Sequence, residues 1–117
     1  MATYSKALLS GSTQGKQIKV GATATPGTLL HTAVSGTSDL DEIWVYATNT
    51  TTSSVKLTVE WGETTSPDGL IEVTLPAEDG YMLVIPGLLL QNALVVRAFA
   101  GTANVIVCNG YVNKITV

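Results

Sequence analysis

Along most of this chain apolar and polar residues alternate with a period of two. The clearest case is residues 41–62, DEIWVYATNTTTSSVKLTVEWG. Ile43, Val45 and Ala47 fall on one side of an extended backbone, with Trp44 and Tyr46 on the other. Further on, Val55, Leu57, Val59 and Trp61 oppose Lys56, Thr58 and Glu60. That is the pattern of strands with one face buried and one face wet. The polar run 49–54 between them suits a loop, so the segment predicts a β-hairpin.

The same alternation predicts further strands. Residues 17–22 form a short one with Ile18 and Val20 on one face, and residues 28–34 follow the turn Thr25-Pro26-Gly27. After the loop at 63–69, Ile71, Val73 and Leu75 oppose Leu70, Glu72 and Thr74 up to Pro76, which cannot donate to a sheet ladder. Glu78-Asp79-Gly80 reads as a hairpin turn. Residues 81–85 are apolar on both faces, which predicts a central strand or one covered by a partner. Pro86-Gly87 is expected to break it and to leave residues 88–90 as a short edge segment. Residues 93–100 and 104–117 complete the series, the last expected to bend or bulge at Gly110.

Seven to nine short strands at even spacing, with no helical period beyond a turn, imply two packed sheets or a closed barrel. The expected fold is all-β, an antiparallel β-sandwich of jelly-roll or immunoglobulin-like connectivity. Residues 1–16, rich in Ser, Thr, Gly and Gln, are expected to be an extended N-terminal arm, with residues 17–117 forming a single sandwich domain.

Composition supports a globular chain. Its 117 residues are 45% hydrophobic and only 13% charged, against the low hydrophobicity and high charge of disorder. The net charge of −3 is unevenly spread. All nine carboxylates lie between Asp39 and Asp79, where Lys56 is the one cation, while Lys6, Lys16 and Lys19 stand in an acid-free start. Such a separation can orient neighbouring copies, and neither part is basic enough to point to nucleic acid. No apolar run is long enough to span a bilayer as a helix, and the start does not read as a secretory signal. The single Cys108 excludes an internal disulfide and reads as a buried thiol.

Candidate chemistry is sparse. His31 is the only histidine, and a Ser-His-Asp mechanism would also need a nucleophile elbow or an oxyanion loop, neither of which the chain carries. One His and one Cys make no transition-metal spacing. The groups Asp39/Asp41/Glu42 and Glu78/Asp79 do not follow a calcium-loop pattern. Glu60 and Glu72, both assigned to outer faces, do not make a glycosidase pair, which needs one buried acid. The expectation is therefore no enzyme and no cofactor. Trp44, Tyr46, Trp61 and Tyr81 are the aromatic candidates, and an exposed aromatic patch most often marks an interface.

Residues 42–49 (EIWVYATN), 60–62 (EWG), 71–76 (IEVTLP), 96–101 (VRAFAG) and 109–113 (NGYVN) resemble small virion proteins of tailed bacteriophages, in particular head decoration, or cement, proteins. The resemblance covers residues 41 to the C-terminus. It implies a non-enzymatic protein made in the bacterial host cytoplasm and located on the capsid surface. Its partners would be the major capsid protein and itself, as a homotrimer that bridges neighbouring shell subunits. The arm would lie across the shell, which makes Tyr4, Lys6, Leu8, Leu9 and Lys16 candidate interface residues beside Trp44 and Tyr46. Two alternatives stand next to it: another virion component such as a tail, neck or spike protein, and a carbohydrate-binding β-sandwich module. The latter would need Trp44 and Tyr46 exposed in a row.

Overall fold

The computed structural model describes residues 2–117. It contains nine strands: β1 (Thr3–Leu8), β2 (Ile18–Lys19), β3 (Thr28–Thr32), β4 (Leu40–Asn49), β5 (Val55–Trp61), β6 (Leu70–Leu75), β7 (Met82–Leu90), β8 (Val95–Ala100) and β9 (Ile106–Thr116). No helix occurs among the described residues, and all strand pairs are antiparallel. The first sheet has the order β1-β9-β4-β7, with β2 also paired to β9, and the second the order β3-β8-β5-β6. The protein is an antiparallel β-sandwich. From β2 onward the strands alternate between sheets except at β5–β6, which is the order of a jelly roll and not of an immunoglobulin sandwich.

The core lies between the sheets. Ile43, Val45 and Ala47 of β4, with Val112 and Cys108 of β9, face Leu57 and Val59 of β5 and Val96 and Ala98 of β8, all fully buried. Fully burying one such Leu, Ile or Val stabilises the fold by about 1.5–3 kcal/mol.

The expected hairpin of residues 41–62 is not one. Both strands exist where the alternation places them, but β4 belongs to the first sheet and β5 to the second. Their apolar sides meet face to face across the core instead of lying side by side. The loop between them spans the sheet separation of about 10 Å, and not the strand spacing of about 4.8 Å that a hairpin turn closes. Buried Asn49 shapes it: its Nδ2 donates to Ser53 O (2.8 Å) and Leu75 O (3.1 Å), and its Oδ1 accepts from Thr51 N (2.9 Å). The Glu78-Asp79-Gly80 turn likewise leads from β6 in one sheet to β7 in the other. Only the 62–69 connection joins consecutive strands that pair, β5 with β6.

Pro86-Gly87 does not end a strand. Strand β7 runs through it to Leu90, with shifts in its register against β4. It is an edge strand, the place in a sheet where proline is tolerated. Residues 81–85 therefore do not lie in a central strand. The expected bulge at Gly110 is also absent: β9 pairs with β4 in unbroken register from Leu40↔Ile115 to Asn49↔Ile106. Glycine is needed there because a Cβ would lie 1.9 Å from the carbonyl oxygen of Trp44.

Within residues 1–16, β1 pairs with β9 from Thr3↔Thr116 to Leu8↔Tyr111. Beyond it Leu9 turns into the core, and Gly11 N donates to Leu30 O at 2.9 Å.

Candidate functional site

The outer face of the first sheet gathers most of the aromatic candidates. Alternation on β4 sends Glu42, Trp44 and Tyr46 outward, each half-buried, while Ile43, Val45 and Ala47 go in. The antiparallel register then sets Asn113 beside Glu42, Tyr111 beside Trp44 and Asn109 beside Tyr46. On the far side of β9, β1 places Lys6 by Asn113 and Leu8 by Tyr111, with Tyr4 by Ile115. Five of the seven candidate interface residues, Tyr4, Lys6, Leu8, Trp44 and Tyr46, thus share one face.

The other two separate from them. Leu9 is 1% exposed and belongs to the core, so its side chain is not available to a partner in this fold. Its neighbours explain the difference: the chain leaves the sheet edge at Leu8 and crosses the open end of the sandwich, which needs an apolar plug. Lys16 is exposed in the turn between β1 and β2, where its N donates to Thr13 O at 2.9 Å.

The face is ordered by side-chain contacts. The Trp44 and Tyr111 rings stack with centroids 6.0 Å apart at 16°, and the Lys6 ammonium lies 5.2 Å from the Tyr111 centroid. Trp44 Nε1 and Asn113 Nδ2 both donate to Glu42 Oε1 at 2.8 Å. Those bonds, Asn113 first, hold the Glu42 carboxyl below its ordinary pKa. Gly87 admits the indole, since a Cβ there would lie 2.7 Å from Trp44 Cζ2.

Next to this cluster is an open recess of about 420 Å³ lined by Tyr46, Tyr81, Asn109, Gly110 and Tyr111. Tyr81 packs edge-on to Tyr46, centroids 6.2 Å apart, and its hydroxyl donates to Gln17 Oε1. Asn109 ties the recess to the β1–β2 loop through Nδ2 to Gly15 O at 3.1 Å. Leu83 of β7, the register partner of Tyr46, is exposed beside it, and Leu88 and Leu89 are exposed further along the same strand. Tyr111 and Asn109 did not figure as site residues in the sequence. The alternation of Asn109, Tyr111 and Asn113 against Cys108 and Val112 was the available signal.

His31 lies with Ser10 and Asp41, an apparent triad whose geometry is structural. Its Nε2 donates to Asp41 Oδ2 at 2.8 Å, and its Nδ1 accepts from the Ser10 backbone N at 2.9 Å. The Ser10 hydroxyl accepts from Thr32 N at 2.7 Å and makes no hydrogen bond to the imidazole, whose partners are Ser10 N and Asp41. Asp41 also accepts from Val34 N (3.2 Å) and Lys114 Nζ (3.1 Å). The four residues join the N-terminal turn, β3, β4 and β9.

The carboxylates are dispersed. Among the described residues no three His, Cys, Asp or Glu side chains gather as a metal site. Glu60 lies on the outer side of the second sheet but is 1% exposed, because the 22–27 segment covers it. Thr25 Oγ1 and Gly27 N donate to its two oxygens at 2.6 and 2.7 Å. Glu72 is exposed and pairs with Lys56 at 2.9 Å. No helix of the described residues is long and apolar enough to cross a membrane.

Comparison with protein families, with curated proteins and with solved structures finds no match for this chain.

Proposed function

We propose that this chain is a non-enzymatic structural protein that decorates and stabilises a bacteriophage capsid by bridging neighbouring shell subunits. The observation that carries the reading is the outer face of the first sheet, where β1 and β7 leave Tyr4, Leu8, Leu83 and Leu89 exposed beside the Trp44–Tyr111 stack. Exposed apolar side chains from separate strands on one face are a mark of protein association. The resemblance of residues 42–49, 71–76 and 109–113 to cement proteins supplies the kind of partner, a major capsid protein. Many weak contacts repeated around a shell multiply into a substantial stabilisation. A homotrimer is the form the resemblance favours.

Quantitative mass spectrometry of purified particles tests this. A copy number near that of the major shell protein, or a simple large fraction of it, is the expected result. A handful of copies per particle would move the protein to a tail or neck, and its absence from particles would overturn the reading. Deletion of residues 1–16 also removes Leu9 from the core, so the cleaner binding variant is Tyr4→Ala/Leu8→Ala. It should lose capsid binding while keeping its fold.

A further inference from the structure

We infer that the recess lined by Tyr46, Tyr81, Asn109, Gly110 and Tyr111 is a binding site for a neutral hexopyranose unit of a glycan. This does not rest on the capsid reading. The recess lies toward the Asn49 end of β4 and borders the face of that reading at Tyr111 and Leu83, while Tyr4 and Lys6 lie toward the Leu40 end.

The lining selects the ligand's chemistry. No charged residue lines the recess, so nothing there compensates the desolvation of an ionic ligand. The nearby cation, Lys6, is already engaged over Tyr111, and Glu42 is held by Trp44 and Asn113. The phenol rings of Tyr46 and Tyr81 offer π-faces and edges, onto which the weakly positive C–H face of a pyranose packs, with the edge of Tyr111 beside them. A sugar must also find hydrogen-bond partners for its hydroxyls. Asn109 uses Nδ2 once, to Gly15 O, and Oδ1 once, from Gly110 N, leaving one donor and one acceptor site. Among the described residues the hydroxyls of Tyr46 and Tyr111 make no hydrogen bond to protein.

The site is also built in advance. Tyr81 stands as a wall although it is 54% exposed, because its hydroxyl is held by Gln17 and its edge by Tyr46. A preformed wall lowers the ordering cost of binding. The volume of about 420 Å³ falls in the range of about 300–1,000 Å³ usual for small-molecule sites. Its open side lets a glycan chain continue past the bound ring. A proline-rich peptide, which docks in aromatic-lined grooves, is the competing occupant and is an arm of the test.

The test is a glycan array of neutral and acidic oligosaccharides probed with the full chain, followed by calorimetric titration of the strongest neutral hit, with heparin hexasaccharide and a proline decapeptide as controls. A neutral glycan should bind, Tyr81→Ala should weaken it at least about tenfold, and Tyr81→Phe, which keeps the ring but loses the bond to Gln17, should weaken it less than Tyr81→Ala does. Thermal unfolding of both variants should match the parent, since the Tyr81 ring is half-exposed. Failure of every neutral glycan, preference for heparin or the proline peptide, or binding that ignores Tyr81→Ala would each overturn the inference.

Discussion

Replacing Asp41 by alanine removes one carboxylate that holds three segments together. The side chain is fully buried, and its loss leaves two donors without an acceptor, His31 Nε2 and Val34 N. An unsatisfied buried donor costs about 1–3 kcal/mol, which falls in full on His31 Nε2 and in part on the half-buried Val34 N; with the lost charge-assisted bond to Lys114 the total is about 3–5 kcal/mol. For a domain of this size about 1 kcal/mol shifts Tm by roughly 4 °C, so Tm should fall by about 12–20 °C. Lys114→Met should cost less, about 1–2 kcal/mol, because the ammonium reaches solvent and the carboxylate keeps its other two donors. Because Ser10 N binds the same imidazole, hydrogen exchange at the β1 amides should also speed up in Asp41→Ala. Chemical denaturation of both variants gives the comparison. An Asp41→Ala cost within about 1 kcal/mol of the parent would refute the reasoning, since a buried, unpaired imidazole N–H cannot be that cheap.

Three other outcomes follow from the geometry. Gly110→Ala should fail to fold or lose several degrees of Tm, as its Cβ would meet the Trp44 carbonyl oxygen at 1.9 Å; circular dichroism melts decide it. Burial pushes the Cys108 thiol up from 9.0 to about 12, so the unfolded chain ionises first as pH rises. The Cys108 contribution should therefore be complete below pH 9 and fall by about 1.4 kcal/mol per pH unit toward pH 12, a slope that Cys108→Val should lack in alkaline denaturation. Glu42 should titrate below its ordinary value in carbon-detected NMR, and Asn113→Ala should move it back up. The Glu42 contribution to stability is present at neutral pH and is lost as pH falls through its lowered folded value.

Period-two alternation settled a good deal from sequence alone. It located nearly every strand, set Ile43, Val45 and Ala47 on one face and Trp44 and Tyr46 on the opposite one, and identified an all-β sandwich; the structure then chose the first set as the buried one. Those results are local: the side to which a side chain points follows from its own strand's pleat. Strand partnership is not local, and there the tertiary structure decided. The apolar faces of β4 and β5 read the same whether the strands lie side by side or face each other across a core. Only the packing of all nine strands chose the second arrangement. The same holds for Glu60, polar in pattern yet sealed beneath residues 22–27, and for Leu9, drawn from an apparent arm into the sandwich. The recess is the extreme case. Its walls come from β4, β9 and the approach to β7, with Gln17 and Gly15 holding them from the start of the chain. No sequence spacing links residues so far apart; the sheet register alone puts them within reach of one another.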